Sequence, residues 1–131
     1  MNLFVDSASR IALKKADIAF YGCDAITTTK IYNKIGSELF AVIADYYKVP
    51  LYVATNSWKF DADSINGKET KIEDRNPDEV WKNSIKGIKV MNPSFEKIEP
   101  KLVTGIISEL GLFMQKSFIS EIKKNYKFMF N

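Results

Sequence analysis

Two short apolar runs, separated by a stretch with helical periodicity, constrain this chain more than any other feature. Ile18-Ala19-Phe20-Tyr21 and Leu51-Tyr52-Val53-Ala54 are continuous apolar runs of strand length, as expected for strands that are covered on both faces. Between them, apolar residues recur at helical spacing at Ile35, Leu39, Val42, Ile43 and Tyr46. A strand, a helix and a second buried strand in succession predict parallel strands joined by a right-handed crossover, which is the repeating unit of an α/β fold.

Weaker patterns on either side extend this order of elements. Leu3-Phe4-Val5 predicts a first strand, and a helix follows it that begins after Asp6-Ser7 and continues through Lys15. In the second half, the patterns predict a short helix from Pro77, a strand at Ile88–Met91, a helix from Pro100 to Gly111 and a last helix at Gln115–Tyr126. The predicted fold class is therefore α/β, with helices flanking a parallel sheet.

The composition excludes several classes of function. The 131 residues are 46% apolar and 27% charged, and 19 lysines and arginines stand against 16 acids, so the net charge of +3 indicates no nucleic-acid-binding face. The chain has no histidine and one cysteine, which excludes histidine-based acid–base chemistry, the usual zinc sites and an internal disulfide. No apolar run approaches the roughly 18 residues that span a bilayer. We expect a cytoplasmic protein with no membrane segment, no metal and no cofactor.

A set of polar residues follows the first buried run. Gly22-Cys23-Asp24 comes directly after that run, and Asn33-Lys34 and Gly36-Ser37 stand at the predicted start of the next helix. An acid at the end of a buried strand, with an amide, an amine and a glycine where the next helix begins, is typical of a polar small-molecule site in an open α/β sheet. We therefore predict that Asp24, Asn33 and Lys34 lie together at the carboxyl edge of the parallel sheet.

A long irregular segment follows the second buried run. Residues 56–76 carry many charged side chains and the dipeptide Asn66-Gly67, which predicts a turn. Segments of this length without regular structure usually have a functional or interfacial role in compact domains. At the base of the segment, Trp58 and Phe60 either cover a site as a lid or anchor the segment to the core.

Taken in order, the motifs of this chain resemble one family. They are Val5-Asp6-Ser7-Ala8, Gly22-Cys23-Asp24-Ala25-Ile26, Asn33-Lys34-Ile35-Gly36, Val49-Pro50-Leu51-Tyr52-Val53-Ala54, Lys59-Phe60-Asp61, Ile72-Glu73-Asp74-Arg75-Asn76-Pro77, Asn92-Pro93-Ser94-Phe95 and Pro100-Lys101-Leu102-Val103-Thr104. The chain resembles the C-terminal domain shared by the α, β and δ subunits of translation initiation factor 2B and by sugar-phosphate isomerases, archaeal ribose-1,5-bisphosphate isomerase most of all. The resemblance implies an α/β domain with a Rossmann-like parallel sheet over residues 1–131, truncated at its N-terminal side and without the family's N-terminal helical domain.

The resemblance also implies roles for single residues. In the isomerases, an aspartate at the position of Asp24 works with a cysteine from the preceding half of the protein, so Asp24 is implied to be the catalytic acid or base. Asn33 and Lys34 are implied to bind the hydroxyls of a phosphorylated sugar. The structural alternative for Asp24 is a helix N-cap or a salt bridge at the end of a strand. Because neighbours on a strand point to opposite faces, Cys23 is predicted to be a small core residue rather than a partner of Asp24.

Two classes of function follow from the resemblance. The first is a sugar-phosphate aldose–ketose isomerase domain, in the lineage that converts ribose 1,5-bisphosphate to ribulose 1,5-bisphosphate, which is incomplete without the half that carries the cysteine and the phosphate contacts. The second is a non-catalytic regulatory or assembly module related to initiation factor 2B. The ligand is then a phosphorylated sugar or a nucleotide, and the partner is a second copy or a chain that carries the N-terminal half. Because residues 118–130 are rich in apolar side chains, we expect the interface to include the last helix and consider residues 56–76 as a further part of it. The alternative is that the last helix folds back on the sheet.

Overall fold

The computed structural model describes residues 1–68 and 70–130 of the chain. Its α-helices are α1 (Ser9–Leu13), α2 (Ser37–Tyr46) and α3 (Gln115–Asn125). Its strands are β1 (Ala19–Tyr21), β2 (Ala25–Ile26), β3 (Ile31–Lys34), β4 (Leu51–Ala54), β5 (Phe95–Ile98), β6 (Gly105–Ser108) and β7 (Gly111–Phe113). Short 3-10 helices occupy Asp6–Ala8, Ser57–Lys59, Ala62–Asn66, Pro77–Glu79, Pro100–Leu102 and Lys127–Phe130.

The larger sheet confirms the predicted α/β class. Its strands lie in the order β1-β4-β6-β7, with β1, β4 and β6 parallel and β7 antiparallel to β6. Both apolar runs that predicted buried strands lie here side by side, since Ala19 pairs with Leu51 and Tyr21 with Val53. The expected burial on both faces is wrong for β1, which lies at the edge of the sheet and leaves Phe20 56% exposed. Leu51 and Val53 of the central strand β4 are almost fully buried, as expected for a strand with neighbours on both edges.

A second sheet, which the sequence patterns do not predict, contains β2, β3 and β5 in antiparallel order. The hairpin of β2 and β3 turns at residues 27–30, where the hydroxyl of Thr27 donates to the carbonyl of Lys30 and accepts the N–H of Lys30 at 2.9 Å. Gln115 of α3 donates its side-chain amide to the carbonyls of Thr27 and Lys30. Thr27 and Gln115 thus stabilise a turn that contains neither glycine nor asparagine, the residues that usually signal a hairpin. The sequence patterns did not predict the hairpin for that reason.

Two predicted strands are wrong. Residues 3–5 form no strand, and their side chains are exposed. Ile88–Met91 forms no strand either, and the strand of that region is β5, further along the chain. Both apolar runs lack a neighbouring strand with which their backbone groups could pair, so an apolar run alone did not suffice.

The helix predicted from Pro100 to Gly111 is also wrong, because a 3-10 turn at Pro100–Leu102 leads into the β6–β7 hairpin. Thr104 directs the chain into the sheet: its hydroxyl accepts the N–H of Leu51 at 3.0 Å, and its own N–H donates to the Leu51 carbonyl at 2.7 Å. Gly111 follows the turn with a φ of 119°, a conformation that favours glycine. The β-branched residues between these points fit a strand period as well as a helical one.

Helix α2 forms where its periodicity predicts, but it buries a different face. The residues it buries are the small ones, Ser37, Ala41 and Ala44, which allow the helix to pack closely on its neighbours. Four of the five large apolar residues that predicted the inner stripe are exposed instead, while the fifth, Ile43, is half-buried and packs against the core. This outer α2 face consists of Ile35, Leu39, Val42 and Tyr46, which are 49%, 53%, 49% and 76% exposed. The period of the pattern was therefore informative about the helix and misleading about its orientation.

The last helix forms as predicted, and the chain itself covers most of the apolar residues at this end. Phe118 and Ile122 of α3 are fully buried in the core. After the helix, Met129 and Phe130 pack against the same core, and the Phe130 ring stacks on Phe60 with 5.3 Å between ring centroids. Phe128 remains 62% exposed. Helix α3 folds back on the sheet, so most of the apolar residues that predicted an interface at the last helix are covered by the chain itself.

Candidate functional site

The candidate site begins where β1 ends. Gly22 and Cys23 lead the chain from β1 into Asp24, which directly precedes β2. The backbone N–H of Asp24 donates to the carbonyl of Tyr32 at 2.9 Å. Because Ala25 pairs with Tyr32 in the β2–β3 ladder, this bond brings Asp24 level with Asn33.

Asn33 and Lys34 lie on β3, the partner strand of the hairpin, and not at the start of the helix as predicted. The side-chain amide of Asn33 donates to the hydroxyl of Ser37 at 2.9 Å, and that hydroxyl donates to the carbonyl of Lys34 at 2.7 Å. The Lys34 ammonium lies 5.1 Å from the centroid of the Phe95 ring on β5. The three predicted site residues thus share one end of the β2–β3 hairpin, in the antiparallel sheet next to the carboxyl end of β1.

The structural alternative for Asp24 finds no support in the part of the chain that the structure describes. There the Asp24 carboxylate, which is exposed, makes no hydrogen bond and no salt bridge, and Asp24 caps no helix. An exposed carboxylate without a structural partner is free to contact a ligand. Asn33, by contrast, is held in place by Ser37.

Cys23 is the small core residue that the sequence predicts. It is 9% exposed, and its thiol donates to the hydroxyl of Thr55 at 3.1 Å. Burial raises the pKa of the Cys23 thiol, although the hydrogen bond with Thr55 and the positive charge of Lys59 act in the opposite direction. The thiol therefore stays protonated at neutral pH and does not act as a nucleophile.

The segment after β4 brings Lys59 to this edge of the sheet, a residue for which the sequence patterns predicted no role. Lys59 ends the 3-10 turn Ser57–Lys59, and the Glu109 carboxylate fixes this turn by accepting the Ser57 N–H at 3.0 Å. Burial alone raises the pKa of Glu109, but the hydrogen bonds from Ser57 outweigh it and the pKa is lowered. A cation in the loop that follows the carboxyl end of a parallel strand is a signal that could have singled out Lys59.

Glu96 and Tyr21 are two further polar residues near the candidate site for which the sequence patterns predicted no role. Glu96 on β5 pairs with Asn33 in the β3–β5 ladder, and its carboxylate accepts the N–H of Glu38 at 2.7 Å. The Tyr21 hydroxyl is buried and has no hydrogen-bond partner among the described residues. Burial raises the pKa of Tyr21, and the charges of Cys23, Glu96 and Glu38 add to this effect. Tyr21 thus remains a neutral hydroxyl.

A groove of about 390 Å³ adjoins this group. It lies between α1, β1 and α2, and it is lined by Leu13, Ala16, Ile18, Phe20, Tyr21 and Ser37, among others. Ile18 and Phe20 are about half exposed, and β1 is the edge strand of the larger sheet within the described ranges. The groove and the open strand edge therefore form one apolar surface that reaches the site at Tyr21 and Ser37.

Within residues 1–68 and 70–130, no group of three cysteine, aspartate and glutamate side chains is placed to hold a metal ion. In the same ranges, every helix is too short or too polar to cross a bilayer.

Comparison with known proteins identifies the family. The sequence pattern of the initiation factor 2 subunit family matches residues 1–115, which include every residue of the candidate site. The chain belongs to this family. Ribose 1,5-bisphosphate isomerase from Methanocaldococcus jannaschii is 41% identical over 115 residues, which make up 86% of this chain and 37% of that protein. The resemblance seen in the motifs is thereby confirmed.

Solved structures of two kinds share the fold. The 5-methylthioribose 1-phosphate isomerase from Pyrococcus horikoshii OT3 superposes on 95% of this chain with a TM-score of 0.81 and 26% identity. The delta subunit of translation initiation factor eIF-2B from A. fulgidus superposes on 96% with a TM-score of 0.79 and 29% identity. The chain spans 37% of the first protein's length and 38% of the second's.

Proposed function

We propose that this chain is part of a sugar-phosphate aldose–ketose isomerase, in the lineage that converts ribose 1,5-bisphosphate to ribulose 1,5-bisphosphate. The observation that carries the proposal is the shared location of Asp24, Asn33 and Lys34 at one end of the hairpin. They are a free carboxylate, an oriented amide and an ammonium group, next to the carboxyl end of a parallel strand. The 41% identity to a ribose 1,5-bisphosphate isomerase supports the same substrate class.

The three side chains suit this chemistry. Converting an aldose to a ketose requires a group that moves a proton at the ring oxygen or the adjacent hydroxyl, and a second group that acts on the carbon side. In our proposal, the Asp24 carboxylate is the first group. The amide of Asn33 and the ammonium of Lys34 bind sugar hydroxyls, and the positive charge of Lys34 also attracts an anionic substrate.

A second polypeptide completes the site in this proposal. It supplies the group that acts on the carbon side and the contacts to phosphate, because the chain's own thiol, Cys23, is buried and protonated. The open edge of β1 and the adjoining groove fit an additional strand of that polypeptide. The outer α2 face offers further apolar area for association. We place the complex in the cytoplasm, where a single free cysteine stays reduced.

Complementation tests this proposal. The purified chain is mixed with the part of the M. jannaschii ribose 1,5-bisphosphate isomerase that it does not match, and formation of ribulose 1,5-bisphosphate is measured. We expect turnover in the mixture and none with either component alone. A complex that forms in light scattering but converts no ribose 1,5-bisphosphate contradicts the isomerase proposal.

The second candidate is a non-catalytic module related to initiation factor 2B. The observation that favours it is the superposition on the eIF-2B delta subunit, at an identity slightly above that of the superposed isomerase. In this case the exposed apolar surfaces assemble subunits, and a second copy of the chain is one possible occupant. A stable homodimer that binds neither sugar phosphate nor the complementing polypeptide supports this candidate over the first.

A further inference from the structure

Helix α2 begins without a side chain of its own to satisfy its first N–H groups. Its N-cap is Gly36, which has a φ of 101° and no side chain that could accept a hydrogen bond. The missing acceptor comes from another element. Glu96 of β5 accepts the N–H of Glu38, in the first turn of α2, at 2.7 Å. A carboxylate at this position also interacts favourably with the positive end of the helix dipole.

The same first turn fixes the orientation of Asn33. The side-chain amide of Asn33 donates to Ser37, the first residue of α2, at 2.9 Å. The Ser37 hydroxyl in turn donates to the carbonyl of Lys34 on β3 at 2.7 Å. Glu96 also lies directly opposite Asn33 in the β3–β5 ladder, so the cap and the strand pairing hold the same group from two directions. A shift of the first turn of α2 therefore moves the Asn33 amide.

We propose that Glu96 is a positioning residue for the Asn33–Lys34 pair, acting through the start of α2. The inference rests on the proposed function for its consequence, since the pair binds the sugar in that proposal. Phe95, next to Glu96 on β5, supports the neighbouring side chain, because its ring lies under the Lys34 ammonium. On β5, Glu96 thus lies opposite Asn33 and Phe95 lies opposite Lys34. The Glu96 carboxylate acts without touching the substrate.

The first experiment measures the coupling itself by NMR on the full chain. In Glu96→Ala we expect the Glu38 amide to exchange with solvent about tenfold faster or more, because a charge-assisted hydrogen bond is lost. The side-chain amide signals of Asn33 should shift in the same variant. Glu96→Gln keeps an acceptor oxygen and should restore both signals toward those of the original chain. Glu99→Ala, which removes a carboxylate just beyond the other end of β5 where it pairs with Lys30, is the matched control and should leave both unchanged.

Ser37→Ala tests the link independently should Glu96→Ala fail to fold. It cuts the connection between α2 and Asn33 while leaving the Glu96 cap in place, so the Asn33 signals should shift and the Glu38 amide should stay protected. The inference is overturned if the side-chain amide signals of Asn33 do not shift in Glu96→Ala, or do not shift in Ser37→Ala. The inference is also overturned if Glu96→Gln speeds exchange of the Glu38 amide as much as Glu96→Ala does. The same holds if the Glu99→Ala control does so.

The second experiment separates this inference from the proposed function. Ribose 1,5-bisphosphate is titrated into the complex of this chain with the complementing polypeptide. We expect Glu96→Ala to weaken binding by about tenfold, with Glu96→Gln and Glu99→Ala close to the original chain. Absence of binding by the original complex contradicts the proposed function, while the Asn33 signals still decide whether Glu96 positions the pair. Binding that Glu96→Ala leaves unchanged overturns the positioning inference alone.

Discussion

The Asp24 carboxylate makes no hydrogen bond and no salt bridge with the described residues. By contrast, Asp45, Asp63 and Glu121 each form a salt bridge with a nearby lysine. An exposed side chain without partners contributes little to folding. Its position at the end of a hairpin, level with Asn33, leaves it available for the ligand contact that we propose.

Asp24→Asn should leave stability nearly unchanged. We expect the free energy of unfolding to change by less than about 0.5 kcal/mol, as is usual for surface substitutions away from structural contacts. Urea denaturation of the two chains, followed by circular dichroism, measures this difference. A loss of about 2 kcal/mol or more would assign Asp24 to the scaffold and remove the main argument for its role.

Cys23 should make the fold sensitive to alkaline pH. Burial raises the pKa of its thiol in the folded state above the unfolded value of about 8.5, so the folded state binds this proton more tightly. The contribution to stability is complete below about pH 8.5 and is lost as the pH rises toward the folded pKa. Between pH 7 and pH 9.5 we expect the original chain to lose more of its free energy of unfolding than Cys23→Ala does. If urea denaturation shows the same loss in the free energy of unfolding for the original chain and for Cys23→Ala, the thiol is not buried as described.

The elements show which kinds of sequence signal were reliable. Strands β1 and β4 were predictable because each is a short apolar run with clear boundaries, and helices α2 and α3 because their apolar residues recur at helical spacing. The β2–β3 hairpin was not, since its two-residue strand is too short for a period and its turn depends on Thr27 and on Gln115 from a distant helix. The β6–β7 hairpin was mistaken for a helix, because the pairing with β4 that selects the strand is not visible locally.

Helix α3 should behave as part of the core. Phe118→Ala removes a fully buried ring, and we expect a loss of about 3 to 5 kcal/mol in the free energy of unfolding. Phe128→Ala is the matched control at a position that is 62% exposed, and it should cost far less. Chemical denaturation of both variants tests this. Similar small losses in the two variants would mean that α3 does not pack on the sheet and is available to a partner after all.

At the scale of the whole molecule, the relative positions of the candidate site residues were more predictable than the exposed surfaces around them. Asp24, Asn33 and Lys34 could be selected from their place after a buried run, although the hairpin that joins them was not foreseen. The association surface was predicted at the last helix because the sequence shows how many apolar residues a segment has and not what covers them. The structure instead exposes the outer α2 face and the edge of β1.

Leu39→Asp should weaken association without unfolding the chain. Leu39 lies on the outer α2 face and is 53% exposed, so a charge there costs little in the isolated chain but is unfavourable in an apolar interface. We expect light scattering to show less complex with the complementing polypeptide, at an unchanged melting temperature. Glu38→Gln, on the same helix, is a control for altered charge. Undiminished association of Leu39→Asp would exclude the outer α2 face as the interface.

The central claim is that this chain supplies the acid or base of a sugar-phosphate isomerase. Its most direct test is the rate at which the chain and the complementing polypeptide together convert ribose 1,5-bisphosphate to ribulose 1,5-bisphosphate. We predict that Asp24→Asn lowers this rate about a hundredfold or more, as expected for the loss of a general acid or base, while Asp78→Asn, at another exposed aspartate, leaves it unchanged. Equal rates for Asp24→Asn and the original chain, in complexes shown to be intact, would contradict the claim.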